Sequence, residues 1–183
     1  MTVKKWPRLG SEMVGDYRIF RLRRDHVRSP HNGREFRFYV LETPEWINVI
    51  PLTPEGKVVL IRQYRPGTEE VSLEIPGGMV DDEDGDPAAT ARRELLEETG
   101  YAAGEMIPIG RVAPNPAIMD NQCHIFLARD ARPVAEPQFD GAEYIELELV
   151  DLDEIPGLIT GGRITHALVV AAFYYFEQFR RQG

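Results

Sequence analysis

The stretch DPAATARRELLEETG, residues 86–100, leaves little freedom in how it can fold. Asp86 suits an N-cap, Pro87 the first helical position and Gly100 a left-handed C-terminal stop, so the pattern predicts a helix over 87–99. Glu94, Glu97 and Glu98 stand at i, i+3 and i+4 and share one face of that helix. Ala88, Ala91 and Leu95, with Leu96 beside them, form the opposite face, which must cover a core. Three carboxylates on any helix are most often a solvated acidic face. Here they repel one another directly behind Gly77-Gly78, a strand end where backbone can approach a ligand closely. A hard divalent cation offsets that repulsion, because Mg²⁺ favours carboxylate and carbonyl oxygens and is completed by water and substrate phosphates. The face therefore makes a candidate site for Mg²⁺, with Mn²⁺ as the alternative.

Around this helix the pattern is mostly strand. Residues 17–24 and 34–41 alternate about a turn at Ser29–Gly33, and 46–52 and 57–64 form a second hairpin about Thr53–Gly56. A short strand over 71–75 leads into Pro76-Gly77-Gly78, and further strands are expected over 105–112, 123–129 and 143–150. A closing helix over about 163–180 is apolar on most sides, so it is deeply buried or packs on a partner. Strands interleaved with two long helices predict an α/β (α+β) domain with helices flanking a sheet.

The 183 residues suit one sizeable core, and net charge excludes some functions. The total of −9 divides into +5 over residues 1–43 and −14 over the rest. Such acidity argues against nucleic-acid binding, which rests on neutralising phosphates. Cys123 is the single cysteine, so no intrachain disulfide can form and a reducing, cytoplasmic setting is expected. No leader-like apolar run opens the chain, and the longest apolar run, 167–176, is far short of the roughly 20 residues that cross a bilayer. Without Cys/His pairs at ligand spacing a zinc site is not expected, and no Ser-His-Asp triad is indicated. Cys123 and His124 read as packing residues, and His166 as a cap or surface residue.

At Arg93-Glu94-Leu95-Leu96-Glu97-Glu98-Thr99-Gly100-Tyr101 the chain resembles the signature of the Nudix hydrolases, Gly-x5-Glu-x7-Arg-Glu-U-x-Glu-Glu-x-Gly-U, where U is bulky and apolar. The second half matches without a gap. The first half is one residue too long: Gly78 to Arg93 spans 15 positions against 14, and Gly85 falls where the first glutamate belongs. An insertion in the loop 81–86 accounts for this, with Glu83 or Asp84 supplying the carboxylate that braces Arg93. The resemblance implies a Nudix-type α/β/α sandwich with a mixed central sheet over 44–183. It leaves a small N-terminal antiparallel β segment over 1–43 as a dimerisation arm.

The same resemblance implies Mg²⁺-dependent hydrolysis of a nucleoside diphosphate linked to another group. Metal ligands would come from Glu94, Glu98, Glu97 and the Gly77 carbonyl, with Glu97 and Arg93 in the catalytic set. The general base would come from a late loop: Glu143 is the first candidate and Asp140 the reserve, against the plainer reading of a solvated acid at a strand start. Arg62-Gln63-Tyr64-Arg65, Leu73-Glu74-Ile75-Pro76-Gly77-Gly78 and Pro116, 15 residues beyond Tyr101, are similar to the ADP-ribose pyrophosphatase and nucleoside diphosphate sugar group. Arg65, then Arg62, would meet the diphosphate through the planar guanidinium fork, unless they are strand-surface charges. Trp46, with Phe20 and Tyr17 as other options, offers an aromatic face for a base, or is core. Relatives of this kind form homodimers. The alternatives are a Nudix hydrolase of dinucleoside polyphosphates, NADH or oxidised nucleoside triphosphates, and a noncatalytic nucleotide-sugar-binding module.

Overall fold

The computed structural model describes residues 2–139 and 144–182, so Asp140 and Glu143 lie outside the described residues. Two compact units partition the chain. One holds residues 1–44 and 113–122, the other 45–112 and 123–183.

In the first unit, β1 (Arg8–Asp16), β2 (Arg21–Arg28) and β3 (Glu35–Glu42) form an antiparallel meander in the order β1-β2-β3. The strand expected over 17–24 is interrupted. Arg18 has φ 65°, Tyr17 N–H donates to the Phe20 carbonyl at 2.9 Å, and Tyr17 to Phe20 is the turn between β1 and β2. Tyr17 and Phe20 pack on each other there, with ring centroids 5.1 Å apart. Residues 113–122 return to this unit, where Leu41 bridges Met119.

The second unit is built on β4 (Trp46–Leu52), β5 (Lys57–Arg65), β6 (Glu70–Glu74), β7 (Gly77–Met79), β8 (Tyr101–Ala102), β9 (Glu105–Val112), β10 (Cys123–Arg129), β11 (Arg132–Pro133) and β12 (Glu146–Asp151). Its helices are α1 (Pro87–Thr99), α2 (Ile155–Thr160) and α3 (Ala167–Arg180). The main sheet runs β12-β5-β4-β10-β9, with β6 on β5 and β7 on β4. It is mixed: β4 and β10 are parallel, whereas β9/β10, β4/β5 and β5/β12 are antiparallel.

Period-two alternation sends neighbouring apolar residues to opposite faces of this sheet. Ile50, Val58, Leu60, Ile125 and Leu127 join Val169, Phe173 and Phe176 of α3 in one core. Ile47, Val49, Val59, Phe126 and Ala128 join Ala91 and Leu95 of α1 in the other. Helices thus cover both faces, giving the expected α/β/α sandwich, and the central strands read as near-continuous apolar runs for that reason. No helix among the described residues is long and apolar enough to cross a membrane.

Candidate active site on the acidic face of α1

Helix α1 occupies residues 87–99, as its sequence predicts. Asp86 accepts the N–H groups of Ala88 and Ala89 at 2.7 and 2.9 Å, and Gly100 closes the helix at φ 71° with its N–H on the Leu96 carbonyl. Ala91 and Leu95 are fully buried, while Glu98 and Glu94 meet Gly77 and Gly78 and Glu97 meets Arg93, which reaches the loop before the helix.

The three carboxylates have graded surroundings. Glu98 is 3% exposed, and its Oε2 accepts the Gly77 N–H at 3.0 Å. Glu94 lies against Gly78 so closely that a Cβ there would collide with its carboxylate. Glu97 is the most open, and its Oε2 accepts from Arg93 Nη1 at 3.0 Å. Strand β7 is held at this spot by pairing with β4, Gly78 opposite Ile47 and Gly77 opposite Asn48. The glycines are therefore needed where helix, strand and carboxylates crowd together.

Arg93 ties the site to the loop. Its Nε and Nη2 take both oxygens of Asp84 at 2.9–3.3 Å, Nη2 also reaches Asp81 at 3.2 Å, and Nη1 spans Glu94 and Glu97, each at 3.0 Å. Of the two acids open from sequence, Asp84 makes the brace. Thr90 Oγ1 adds a bond to Asp84 at 2.8 Å. The hydrogen bonds from Arg93 hold the Asp84 carboxyl at about 2, below its ordinary range, and the same contact raises Arg93. A turn at Asp82–Asp84, followed by Gly85 at φ 79°, absorbs the extra loop residue and swings Asp84 onto the guanidinium.

Among the described residues no three acids or imidazoles are already gathered as a metal cage. Glu94 and Glu97 instead share one guanidinium nitrogen, a cation standing where carboxylates would otherwise repel. The donor set is all oxygen and Gly78 keeps side-chain bulk away, a combination that fits Mg²⁺ or Mn²⁺ and not a thiolate-seeking metal. A divalent cation here would be held by Glu94, Glu97 and Glu98 and would compete with Arg93 for the first two.

The remaining sequence candidates lie on other elements. Arg65 on β5 makes a two-pronged bond to Glu74, at 2.9 and 2.7 Å, and His166 Nδ1 lies 3.0 Å from the same carboxylate. Burial pushes Glu74 upward, but these partners outweigh it and hold its carboxyl at about 2. Arg62, two strand positions before Tyr64, bonds Glu148 of β12 at 2.7 Å. Trp46 is half-buried at the start of β4, opposite Met79 and Cys123. Cys123 is buried, as a packing residue should be, and burial pushes its thiol up to about 12. His124 pairs with Glu45 at 2.8 Å. His166 sits at the N-cap position of α3 without making a cap bond, so the cap reading gives way to the contact with Glu74.

Two features escaped sequence reasoning. Thr90 as a support for Asp84 has no signal beyond its place on the α1 surface facing the loop. The backbone N–H of Gln138 donates to the Glu97 carbonyl at 2.8 Å, and Val134 and Ala135 donate to that of Gly100 at 2.8 and 3.1 Å, so the chain after β11 is tied to the end of α1. Gly100 marks that contact, since a Cβ there would strike the Ala135 carbonyl.

Comparison with known proteins agrees with this architecture. Residues 43–173 match the NUDIX domain. The chain is 28% identical over 170 residues to an ADP-ribose pyrophosphatase of Bacillus subtilis (strain 168), covering 92% of this chain and 91% of that protein. It is 32% identical over 168 residues to a methanol dehydrogenase activator of Bacillus methanolicus, covering 91% and 90%. A crystal structure of an ADP compounds hydrolase superposes with a TM-score of 0.87 at 23% identity, over 100% of this chain and 98% of that one, a likeness of fold. The chain belongs to the Nudix family, hydrolases that act on pyrophosphate bonds.

Proposed function

We propose that the protein is a Mg²⁺-dependent pyrophosphohydrolase of ADP-ribose or a related nucleoside diphosphate sugar, releasing a nucleoside monophosphate and a sugar phosphate. The observation that carries this is the acidic face of α1 closed against Gly77-Gly78 with Glu98 buried on the Gly77 N–H. Similarity to an ADP-ribose pyrophosphatase along nine-tenths of both chains favours the substrate class.

A diphosphate resists attack because its anionic oxygens repel a nucleophile. A bound Mg²⁺ would supply charge neutralisation and lower the pKa of the attacking water. The chain's part is to hold and orient. Glu94 and Glu98, with Glu97 and the Gly77 carbonyl, would hold the ion; Arg93, braced by Asp84, fixes Glu94 and Glu97. Arg65 pairs with diphosphate oxygens, helped by Arg62, and Trp46 offers a face to the base. Glu143, with Asp140 in reserve, takes the water proton as the bridging P–O bond breaks and the sugar phosphate leaves with that oxygen.

Incubation with Mg²⁺ and ADP-ribose, GDP-mannose, UDP-glucose, NADH, a diadenosine polyphosphate or 8-oxo-dGTP, with separation of products, tests this reading. Preferred cleavage of ADP-ribose or a nucleotide sugar to a monophosphate and a sugar phosphate is expected. Turnover of the other classes alone would overturn the substrate assignment.

The reading extends to a cytoplasmic homodimer in which 44–183 is the hydrolase domain and 1–43 the dimerisation arm. Trp6, Phe36 and Phe38 support it: they cluster at centroid distances of 5.5–6.3 Å and remain 37–48% exposed on the N-terminal unit. Light scattering should report about twice the 20.8 kDa chain mass, and a monomer mass would refute it.

A further inference from the structure

Strand β5 carries Arg62 and Arg65, and each shares its carboxylate with the chain between α2 and α3. Glu148 of β12 accepts from Arg62 at 2.7 Å and from Arg163 at 3.1 Å. Glu74 of β6 accepts from Arg65 at 2.9 and 2.7 Å and lies 3.0 Å from His166 Nδ1. Residues 163 and 166 are thereby cross-braced to the strand that carries both arginines.

Glu74 and His166 are placed unlike ordinary surface partners. Glu74 is 2% exposed, so its oxygens must find donors inside the protein, and leaving one without a donor is costly. His166 stands at the N-cap of α3, where a short polar side chain would cap the helix. Its ring instead turns to Glu74, although the side chain keeps about a third of its exposure. Arg65 reaches both oxygens, and His166 holds Oε2 from a second direction, so the carboxylate and its guanidinium cannot turn as one unit. A two-pronged pair then fixes the plane of the guanidinium it holds. If the His166 N–H is removed, Oε2 loses a donor, and the Glu74 carboxylate and the Arg65 plane can turn together.

We propose that His166 is a positioning residue for the hydrolase: through Glu74 it sets the plane of Arg65, and so the grip of Arg65 on the substrate diphosphate. This rests on Arg65 as a diphosphate-binding residue. His166 itself need not touch the substrate.

The test compares His166→Leu, His166→Gln, Arg65→Ala and the double variant Arg65→Ala/His166→Leu. For each, KM and kcat are measured with ADP-ribose, and Kd with the uncleavable α,β-methylene analogue. His166→Leu should raise KM and Kd by roughly ten-fold, the scale of coupling through one intervening contact, and move kcat by less than about two-fold. His166→Gln, which keeps a donor, should recover much of the loss. In the Arg65→Ala background, His166→Leu should add nothing. A purely structural role predicts the opposite: lowered thermal stability with unchanged KM and Kd, or an effect that adds in full to Arg65→Ala. Either result overturns the proposal. If Arg65→Ala alone leaves KM and Kd unchanged, the substrate role of Arg65 falls first, and this inference falls with it.

Discussion

Glu74 and Glu98 are both buried acids, held in different ways. Glu98 takes a neutral backbone N–H from Gly77, whereas Glu74 has a two-pronged guanidinium and an imidazole. Because the folded Glu74 carboxyl is held at about 2 against an ordinary 4.5, its contribution to stability is complete above pH 4.5 and is lost as pH falls toward 2. The linkage bounds that contribution at roughly 3 kcal/mol. Glu74→Gln should therefore lower stability at neutral pH and flatten the fall between pH 4.5 and 2. Urea unfolding across that range reads it, and parallel curves for the two proteins would contradict it. Little of this network is legible in the sequence. Glu74 and His166 are 92 positions apart, and nothing local to either announces the pair. The Asp84 brace was half-legible: motif spacing pointed to the loop, but only the turn ending at Gly85 decides between two neighbouring acids.

Helix α1 was readable to the residue because every signal for it is local: cap, first-turn proline, apolar stripe and glycine stop. Strand β1 was not. Its sequence, RLGSEMVGD, has no clean alternation, and its pairing with β2 shifts register between Arg8 and Gly10 and again between Met13 and Gly15. Tyr17 and Ile19 alternate like strand residues yet lie in the turn, 55% and 56% exposed. The β7–α1 junction carries its own test. The three atoms nearest a Cβ at Gly78 all belong to the Glu94 side chain, which can move; a Cβ at Gly77 meets the Ile47 backbone carbonyl as well as Asn48. Gly78→Ala should keep the fold while lowering activity by displacing Glu94. Gly77→Ala should cost stability of about 1–3 kcal/mol as backbone shifts. Thermal melts beside initial rates separate the two, and equal melting temperatures for both variants would argue against this geometry.

At the scale of the whole molecule, two cores on opposite faces of one mixed sheet fix where α1 lies, and α1 in turn presents its acids to the glycine strand. Helices flanking a sheet were legible from strand runs interleaved with two long helices, whereas the sandwich itself came from the family resemblance. The small pairing of β8 with β11 was not legible, because two-residue strands leave no compositional mark. The acidic face of α1 is the divalent-metal and diphosphate site of the function proposed above. Its most direct test is the Mg²⁺ dependence of ADP-ribose cleavage by the native protein beside Glu98→Gln, with far-ultraviolet circular dichroism confirming the fold of both. The native protein should show saturable, Mg²⁺-dependent turnover, and the folded variant a loss on the order of a hundred-fold or more. Metal-independent turnover, or a folded Glu98→Gln protein as active as the native one, would contradict that role.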